Sequence, residues 1–399
     1  MLLNAAILIT IAAALGLLWL PRLRTDPPWR AMVTPLASII GSGFLLLGPV
    51  LSHAYGAYAP LAMAGLCWLA WGFGDAIRYS IARIDEAEAR PAPDRTIERL
   101  ASATLGLAYV VSVAYYLNLL GAFGLSLTRW NDPLHAKMLT SAVMLAILAV
   151  GWTRGFAMLE RLEYVSVSLK LAIIAGLLLG LAVYFGHAAG AGELHALPVS
   201  AGGLGAVTLG FGLIVTVQGF ETSRYMGDSY RAATRIRSMR WAQLFSALIY
   251  MIYIVLFAYV FRPDQIELRE TALVDMMGIV APILPALLVL AALSAQFSAA
   301  VADTSGSGGL FHELSGGRIS HRLGYAGLIA LGPILTWSFD IFAIVAYASR
   351  AFAAYYALQS LLATLAAHRR QNRPRSLLYA LLTGLGVAIV ALGRPVEGG

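Results

Sequence analysis

The feature that most constrains this chain is a set of uninterrupted apolar runs, such as LAIIAGLLLGLAVYF at 171–185. About 20 apolar residues in an α-helix span the ~30 Å hydrocarbon core of a bilayer. Backbone groups in lipid must bond internally, so a spanning chain is either helical or a closed barrel. Barrel strands alternate polar and apolar residues over about 10-residue segments, and these runs do not alternate. The chain therefore reads as an all-α polytopic membrane protein. Composition agrees, with 59% hydrophobic and 12% charged residues, where soluble domains carry about 25% charged residues.

Twelve runs are predicted to span, at roughly 2–20, 31–52, 57–82, 98–126, 136–152, 160–186, 205–226, 239–261, 273–302, 323–338, 341–367 and 375–393. The first is read as a retained span rather than a signal peptide, because Arg22 and Arg24 follow it and no Ala-x-Ala site is present. Linkers 21–30, 83–99, 152–161, 224–240, 316–322 and 368–375 are rich in arginine. The alternate linkers 53–58, 127–137, 186–203, 261–271 and 338–340 are poorer in basic residues. The positive-inside rule assigns the first set to the cytoplasm. Both termini are then expected outside it, with the chain in a bacterial inner membrane.

The net charge of +7 is thereby a topology signal, and nucleic acid is not an expected partner. Cys67 is the only cysteine, which excludes an internal disulfide and a paired-cysteine zinc site. All seven histidines fall at span ends or in loops, which argues against a histidine relay or metal cage in the membrane. No cofactor is expected.

The organisation divides further. An added helix and linker (1–30) precede five spans (31–186), then five more (203–367), then a closing span (375–399). An odd number of spans per half inverts the second half relative to the first, as in many secondary transporters. In such carriers the first helix of each half is often interrupted, and its free N–H and C=O groups bind solute and ions. Gly41-Ser42-Gly43 interrupts the first span of half one. Gln218-Gly219-Phe220-Glu221 interrupts the corresponding span of half two. Close helix packing on small residues is the competing reading for each motif alone.

Ionisable residues at membrane depth cost at least ~2.5–3.5 kcal/mol near a helix centre, so those present are informative. Glu221 adjoins the second interruption. Lys170, one of only two lysines, lies well inside its run. Asp303 closes the apolar part of 273–302, beside Ser298, Thr304 and Ser305. Arg350 lies about a third of the way into its run, where snorkelling is the bland explanation. Tyr115-Tyr116 with Asn118 sits mid-span, read equally as packing or as solute contact.

Three segments resemble the amino acid–polyamine–organocation (APC) superfamily, the carriers with the LeuT fold. IIGSGFLLLGP is similar to that family's first-helix Gly-Ser-Gly stretch. VQGFETSRYMGD is similar to its sixth-helix motif, and LERLEYVSVSLKLAIIAGLLLG to a fifth helix with an internal lysine. The resemblance implies a LeuT-like 5+5 inverted repeat and alternating access for amino acids or related amines. It implies that backbone at 41–43 holds a solute carboxylate and that 218–221 forms the facing wall. In several proton-coupled relatives the fifth-helix lysine takes the place of a sodium ion near the eighth helix. Carried over, that lysine is Lys170, with Asp303, Thr304 and Ser305 as neighbours. The chain lacks the Asp-Pro-Gly and Met-Pro-His breaks of related divalent-metal carriers, which disfavours metal transport.

The expectation is a carrier, not an enzyme, that couples a small organic solute to an ion, with the proton preferred over sodium. Lys170 and Asp303 are expected to form a charge pair. Desolvation favours the neutral form of either group, so either can exchange a proton. The rival reading is a cation transporter or channel-like protein with Glu221 and Asp303 as ion ligands. A serine hydrolase built on Ser305 or Ser307 lacks a histidine within a span to activate it.

Overall fold

The computed structural model describes residues 2–41, 43–84, 91–126, 128–227, 229–266, 268, 272–339 and 341–394. Every regular element among them is helical. The order is α1 (Leu2–Leu18), α2 (Pro21–Thr25), α3 (Pro27–Ile39), α4 (Gly43–Tyr55), α5 (Ala59–Ile84), α6 (Ala92–Leu125), α7 (Pro133–Arg154) and α8 (Phe156–Ala191). The second part holds α9 (Gly203–Gly212), α10 (Ala232–Phe257), α11 (Ala272–Val280), α12 (Leu284–Leu314), α13 (His321–Ser338), α14 (Ile341–Arg369) and α15 (Arg373–Leu392).

Local chemistry explains the helix starts. A free N–H at a helix N-terminus needs an acceptor, and short polar side chains supply one. Asp26 accepts from Trp29 N–H at 3.1 Å ahead of α3. Asp132 accepts from the N–H groups of Leu134 and His135 ahead of α7. Ser320 and Asn372 serve α13 and α15 in the same way. Proline follows three of these caps, where its missing N–H costs nothing.

Each predicted run coincides with helical structure, with one correction to how continuous the runs are. Seven helical stretches among the described residues are long and apolar enough to cross a membrane by themselves, so length and apolarity alone do not establish twelve crossings. Interruption is part of the reason. The run at 31–52 is divided into α3 and α4, and the run at 205–226 gives only the ten-residue α9 and two 3₁₀ turns. The run at 273–302 is split between α11 and α12, and α12 alone is still long enough to cross. A second correction concerns Asp303, which lies inside α12 rather than at its end. The glycines beyond it let neighbours approach. A Cβ on Gly308 would sit 2.4 Å from the Tyr325 ring, and one on Gly309 would sit 2.6 Å from Tyr225 O. The Ser/Gly-rich stretch after Asp303 is thus a close-packed helix.

At the centre, α6, α8, α12 and α14 pack together, with α3 and α10 against them. The leading helix α1 lies along α8. Ile7 and Ile11 seat on Gly176 and Gly180, a Gly-x-x-x-Gly surface that admits a helix without side chains in the way. The Tyr164 hydroxyl donates to Leu18 O at 2.5 Å and ties down the end of α1. The added helix therefore braces the helix that carries Lys170.

Candidate functional site

Both expected interruptions are real. α3 ends at Ile39, and α4 begins at Gly43. Ser42 lies outside the described residues. In the second half, a 3₁₀ turn at Leu213–Val217 gives way to extended Gln218 and then Gly219 at φ 117°, before another 3₁₀ turn at Phe220–Tyr225. A side chain at that φ is strained, and space forbids one as well. A Cβ on Gly219 would lie 2.5 Å from Ser38 Oγ and 2.6 Å from Ile39 N. A Cβ on Gly43 would lie 2.5 Å from Thr216 O. The glycines let the two breaks touch. The Tyr250 hydroxyl, 2.8 Å from Ile39 O and 3.0 Å from Thr216 O, joins them from α10.

The first break ends a helix, so its last carbonyls lack intrahelical donors and carry the negative end of the dipole. Lys170 meets them from α8. Its Nζ donates to Ala37 O at 2.7 Å, Ile40 O at 2.6 Å and Ser298 Oγ of α12 at 2.9 Å. An ammonium has three donors and no acceptor, so three oxygen acceptors match the charged form. Lys170 is completely buried, and the bonds account for its hydrogens.

The expected Lys170–Asp303 pair needs correction. Asp303 Oδ1 accepts from the Ser38 hydroxyl at 2.9 Å, and Oδ2 accepts from the Ser112 hydroxyl at 2.5 Å. Positions 298 and 303 differ by five residues, or about 500° on a helix, so they present different faces of α12. Lys170 and Asp303 therefore grip the same turn of α3 separately, one at the carbonyls of Ala37 and Ile40, the other at the Ser38 hydroxyl. Of the other two α12 residues named in advance, Thr304 spends its hydroxyl on Ala300 O at 2.7 Å, and Ser305 Oγ is buried without a partner.

The second break presents N–H groups, and an anion meets them. Glu221 Oε2 accepts from Gly219 N–H at 2.9 Å and from the Tyr356 hydroxyl at 2.8 Å. Its Oε1 and the Oε1 of Gln218 are buried with no hydrogen-bond partner. Gln218 Nε2 donates to the Tyr116 hydroxyl at 2.8 Å. Phe220 stacks on Tyr356 with ring centroids 5.2 Å apart, and Phe73 stacks on Tyr356 at the same spacing. Asp303 and Glu221 lie within electrostatic range of each other. Both carboxylates thus face hydroxyl or N–H donors.

Two further expectations change. The tyrosine that reaches Gln218 is Tyr116, whereas Tyr115 is a buried ring packed on it at 5.5 Å. Adjacent residues on a helix point about 100° apart, and the sequence did not distinguish them. Arg350 is exposed on α14, away from the buried groups around the breaks. Conversely, Ser38, Ser112, Tyr250 and Tyr356 were not anticipated, and Ser298, named only as a neighbour of Asp303, is a partner of Lys170 instead. Each is a neutral hydroxyl in an apolar run, indistinguishable by composition from a packing residue. A cavity of about 220 Å³ lined by Ile39, Cys67, Trp71, Val217, Gln243 and Tyr250 adjoins both breaks, and its walls are mostly apolar.

Glu221, Lys170 and Asp303 are all fully buried. The groups around the two breaks are closed to bulk water in this conformation.

Comparison with known proteins agrees with this architecture. A family model described as APC superfamily transporter matches residues 21–393, beginning just after α1. An uncharacterised protein of Aquifex aeolicus (strain VF5) is 39% identical over 391 residues, covering 94% of this chain and 93% of that one. Among solved structures, the nucleobase-cation-symport-1 family transporter Mhp1, in a closed conformation with bromovinylhydantoin bound, aligns at a TM-score of 0.55 and 13% identity. That alignment covers 92% of this chain and 90% of the other. A Na⁺-coupled sialic acid symporter aligns at 0.53 and 14% identity over 100% and 99%. A manganese transporter of Eremococcus coleocola aligns at 0.55 and 12% identity over 93% and 86%. At these identities the solved structures speak for a shared LeuT-type fold, and the family model speaks for descent. The chain belongs to the APC superfamily of transporters.

Proposed function

We propose that the protein is a proton-coupled symporter of an amino acid or a similar small amine-bearing solute, working by alternating access. The observation that carries this reading is the Lys170 cage. Carbonyls at the end of a half-helix, together with a hydroxyl from a facing helix, are the ligands such folds use for a coupling cation. Here a side-chain ammonium fills that set of oxygens. A tethered cation cannot be carried across, but it can lose its proton. Deprotonation removes one donor and the charge, which loosens the grip on Ala37 and Ile40 and frees α3 to move relative to α8 and α12. Protonation restores it.

The solute class follows from the second break. Glu221 Oε1 and Gln218 Oε1 are buried acceptors without donors, a complement for an ammonium group. A solute carboxylate would lie at the start of α4, where the first N–H groups of a half-helix favour an anion. The two ends of a zwitterion then bridge the two breaks. On this reading the arginine-rich linkers face the cytoplasm, and the coupling proton enters with the solute.

Two steps test it. A thermal-shift screen of the purified protein against amino acids, amines, nucleobases and cations at several pH values finds the solute, because ligand binding raises apparent stability. Uptake of the best stabiliser into proteoliposomes is then driven by an imposed pH gradient. Lys170→Ala is expected to abolish that uptake; uptake at the unmutated level would sink the proposal.

A further inference from the structure

Among the buried acids that the coupling scheme leaves unused, Glu163 is the one on the same helix as Lys170. Glu163 is 1% exposed. The Thr34 hydroxyl donates to its Oε2 at 3.3 Å, and its Oε1 has no hydrogen-bond partner. An ionisable residue in a membrane helix that contributes neither packing nor a full set of hydrogen bonds lowers stability without a structural return.

Its position supplies the return. Glu163 and Lys170 are seven residues apart on α8, about 700° at 100° per residue, so they share a face. Glu160 lies three residues earlier on the same side. α3 runs beside α8 in the same direction, and their polar partners advance in step. Arg30 bonds Glu160 at 2.7 Å, Thr34 bonds Glu163, and Ala37 and Ile40 bond Lys170. The outer pair meets water, with the Arg30 side chain 47% exposed and that of Glu160 13% exposed. The Tyr230 hydroxyl donates to the other Glu160 oxygen at 2.9 Å. A polar seam therefore runs from the arginine-rich face to the first break. Glu163 lies midway, and its partner Thr34 is three residues, or ~4.5 Å of helical rise, from Ala37 in the lysine cage.

The groups that face Glu163 are few. Its own helix offers Glu160 and Lys170, and α12 offers Asp303 at longer range. α3 offers Arg30 beyond Thr34, and the turn ahead of α10 offers Tyr230. α1 carries no ionisable residue, α7 holds His135, Lys137 and Arg154 towards its ends, and the Arg235 guanidinium of α10 donates to Arg224 O.

We propose that Glu163 is the proton acceptor between Lys170 and the arginine-rich face. When the first-break cage loosens, the Lys170 ammonium gives one proton to the Glu163 carboxylate, leaving a neutral amine and a neutral carboxylic acid. The acid then releases that proton to water through the Arg30–Glu160 mouth, and the reverse sequence reloads the lysine. This rests on Lys170 being the coupling cation.

The test uses the full chain in lipid nanodiscs and needs no solute. Infrared difference spectra between two pH values report protonated carboxyl groups by their C=O stretch. Glu163→Gln is expected to delete one pH-dependent carboxyl band, and Glu163→Asp to retain it with a shifted frequency. Thr34→Val, which removes only the hydrogen bond, keeps the band. Lys170→Met is expected to move the pH midpoint of the Glu163 band. A difference spectrum unchanged by Glu163→Gln overturns the proposal, and so does a Glu163 band whose midpoint ignores Lys170→Met. If the band behaves as expected while Lys170→Ala leaves pH-driven uptake intact, the coupling role of Lys170 fails and the titrating Glu163–Lys170 pair stands. If uptake is lost as expected while the band is unaffected, the relay alone fails.

Discussion

The two breaks are counterparts in an inverted repeat, yet they are completed by opposite charges. At the first, a half-helix arrives and stops, exposing carbonyls, and the Lys170 ammonium covers them. At the second, a 3₁₀ turn departs, exposing N–H groups, and the Glu221 carboxylate accepts from Gly219 N–H. Each charge matches the sign of the local backbone dipole. The difference teaches how an interrupted helix survives without water: the unpaired backbone groups are answered by a side chain of opposite polarity. The charges also come from different places. Lys170 reaches across from α8, whereas Glu221 belongs to the broken segment itself. The first break is therefore held by a contact that helix movement can open, and the second is held locally.

Reversing either charge is the strongest way to break this comparison. Lys170→Glu sets a carboxylate against carbonyls, and Glu221→Lys sets an ammonium against an N–H. An unpaired buried charge costs about 3–5 kcal/mol, so neither protein is expected to give a monodisperse peak in size-exclusion chromatography. A reversed variant that purifies normally would refute the polarity rule.

Backbone substitution comes next in size. Gly219→Ala meets a positive φ and contacts of 2.5 and 2.6 Å with Ser38 Oγ and Ile39 N, which together cost about 2–4 kcal/mol. At Gly41 the nearest atom to a new Cβ is Ser38 O at 3.0 Å, followed by Ala299 Cβ at 3.4 Å. Gly41→Ala is expected to cost about 1 kcal/mol or less, because only small shifts are needed. Thermal unfolding of the two variants reads the difference. Equal losses would mean that the glycine at each break serves the same packing purpose.

Much of this was legible in the sequence, and for physical reasons. The bilayer's demand for apolar length exposes the long helices, and the glycines at 43 and 219 mark where the backbones of the two breaks touch. Lys170 stood out because a mid-span lysine is costly. Its partner did not, because Ser298 and Asp303 lie in one small-residue stretch of α12 and only the rotation of that helix decides which faces α8. Glu163 was hidden for a different reason. It sits near the start of its run, where an acid resembles an ordinary helix-end charge. Its seven-residue spacing from Lys170, and the matching positions of Arg30, Thr34 and Ala37 on α3, were the available signals. Arg350 misled in the opposite direction, because depth along a helix says nothing about which way a side chain points.

Smaller effects sharpen what each break does. Glu221→Gln keeps an oxygen for Gly219 N–H and the Tyr356 hydroxyl but removes the charge. Stability is then expected to change by less than about 1 kcal/mol. Affinity for an amine-bearing solute is expected to fall about tenfold, or ~1.4 kcal/mol, in titration calorimetry with the solute found by thermal shift. An undiminished affinity would move the ammonium site away from the second break.

Arg350→Ala should have the smallest effect. The residue is exposed on α14, and surface changes away from special features stay within about ±0.5 kcal/mol. Unfolding temperature and pH-driven uptake are both expected to match the unmutated protein. This makes the variant more than a control, because Arg350 and Lys170 are both basic residues inside apolar runs. If removing the exposed one proved as damaging as removing the caged one, the charge of these runs as a whole would govern transport. The three oxygens around Lys170 would then lose their special standing.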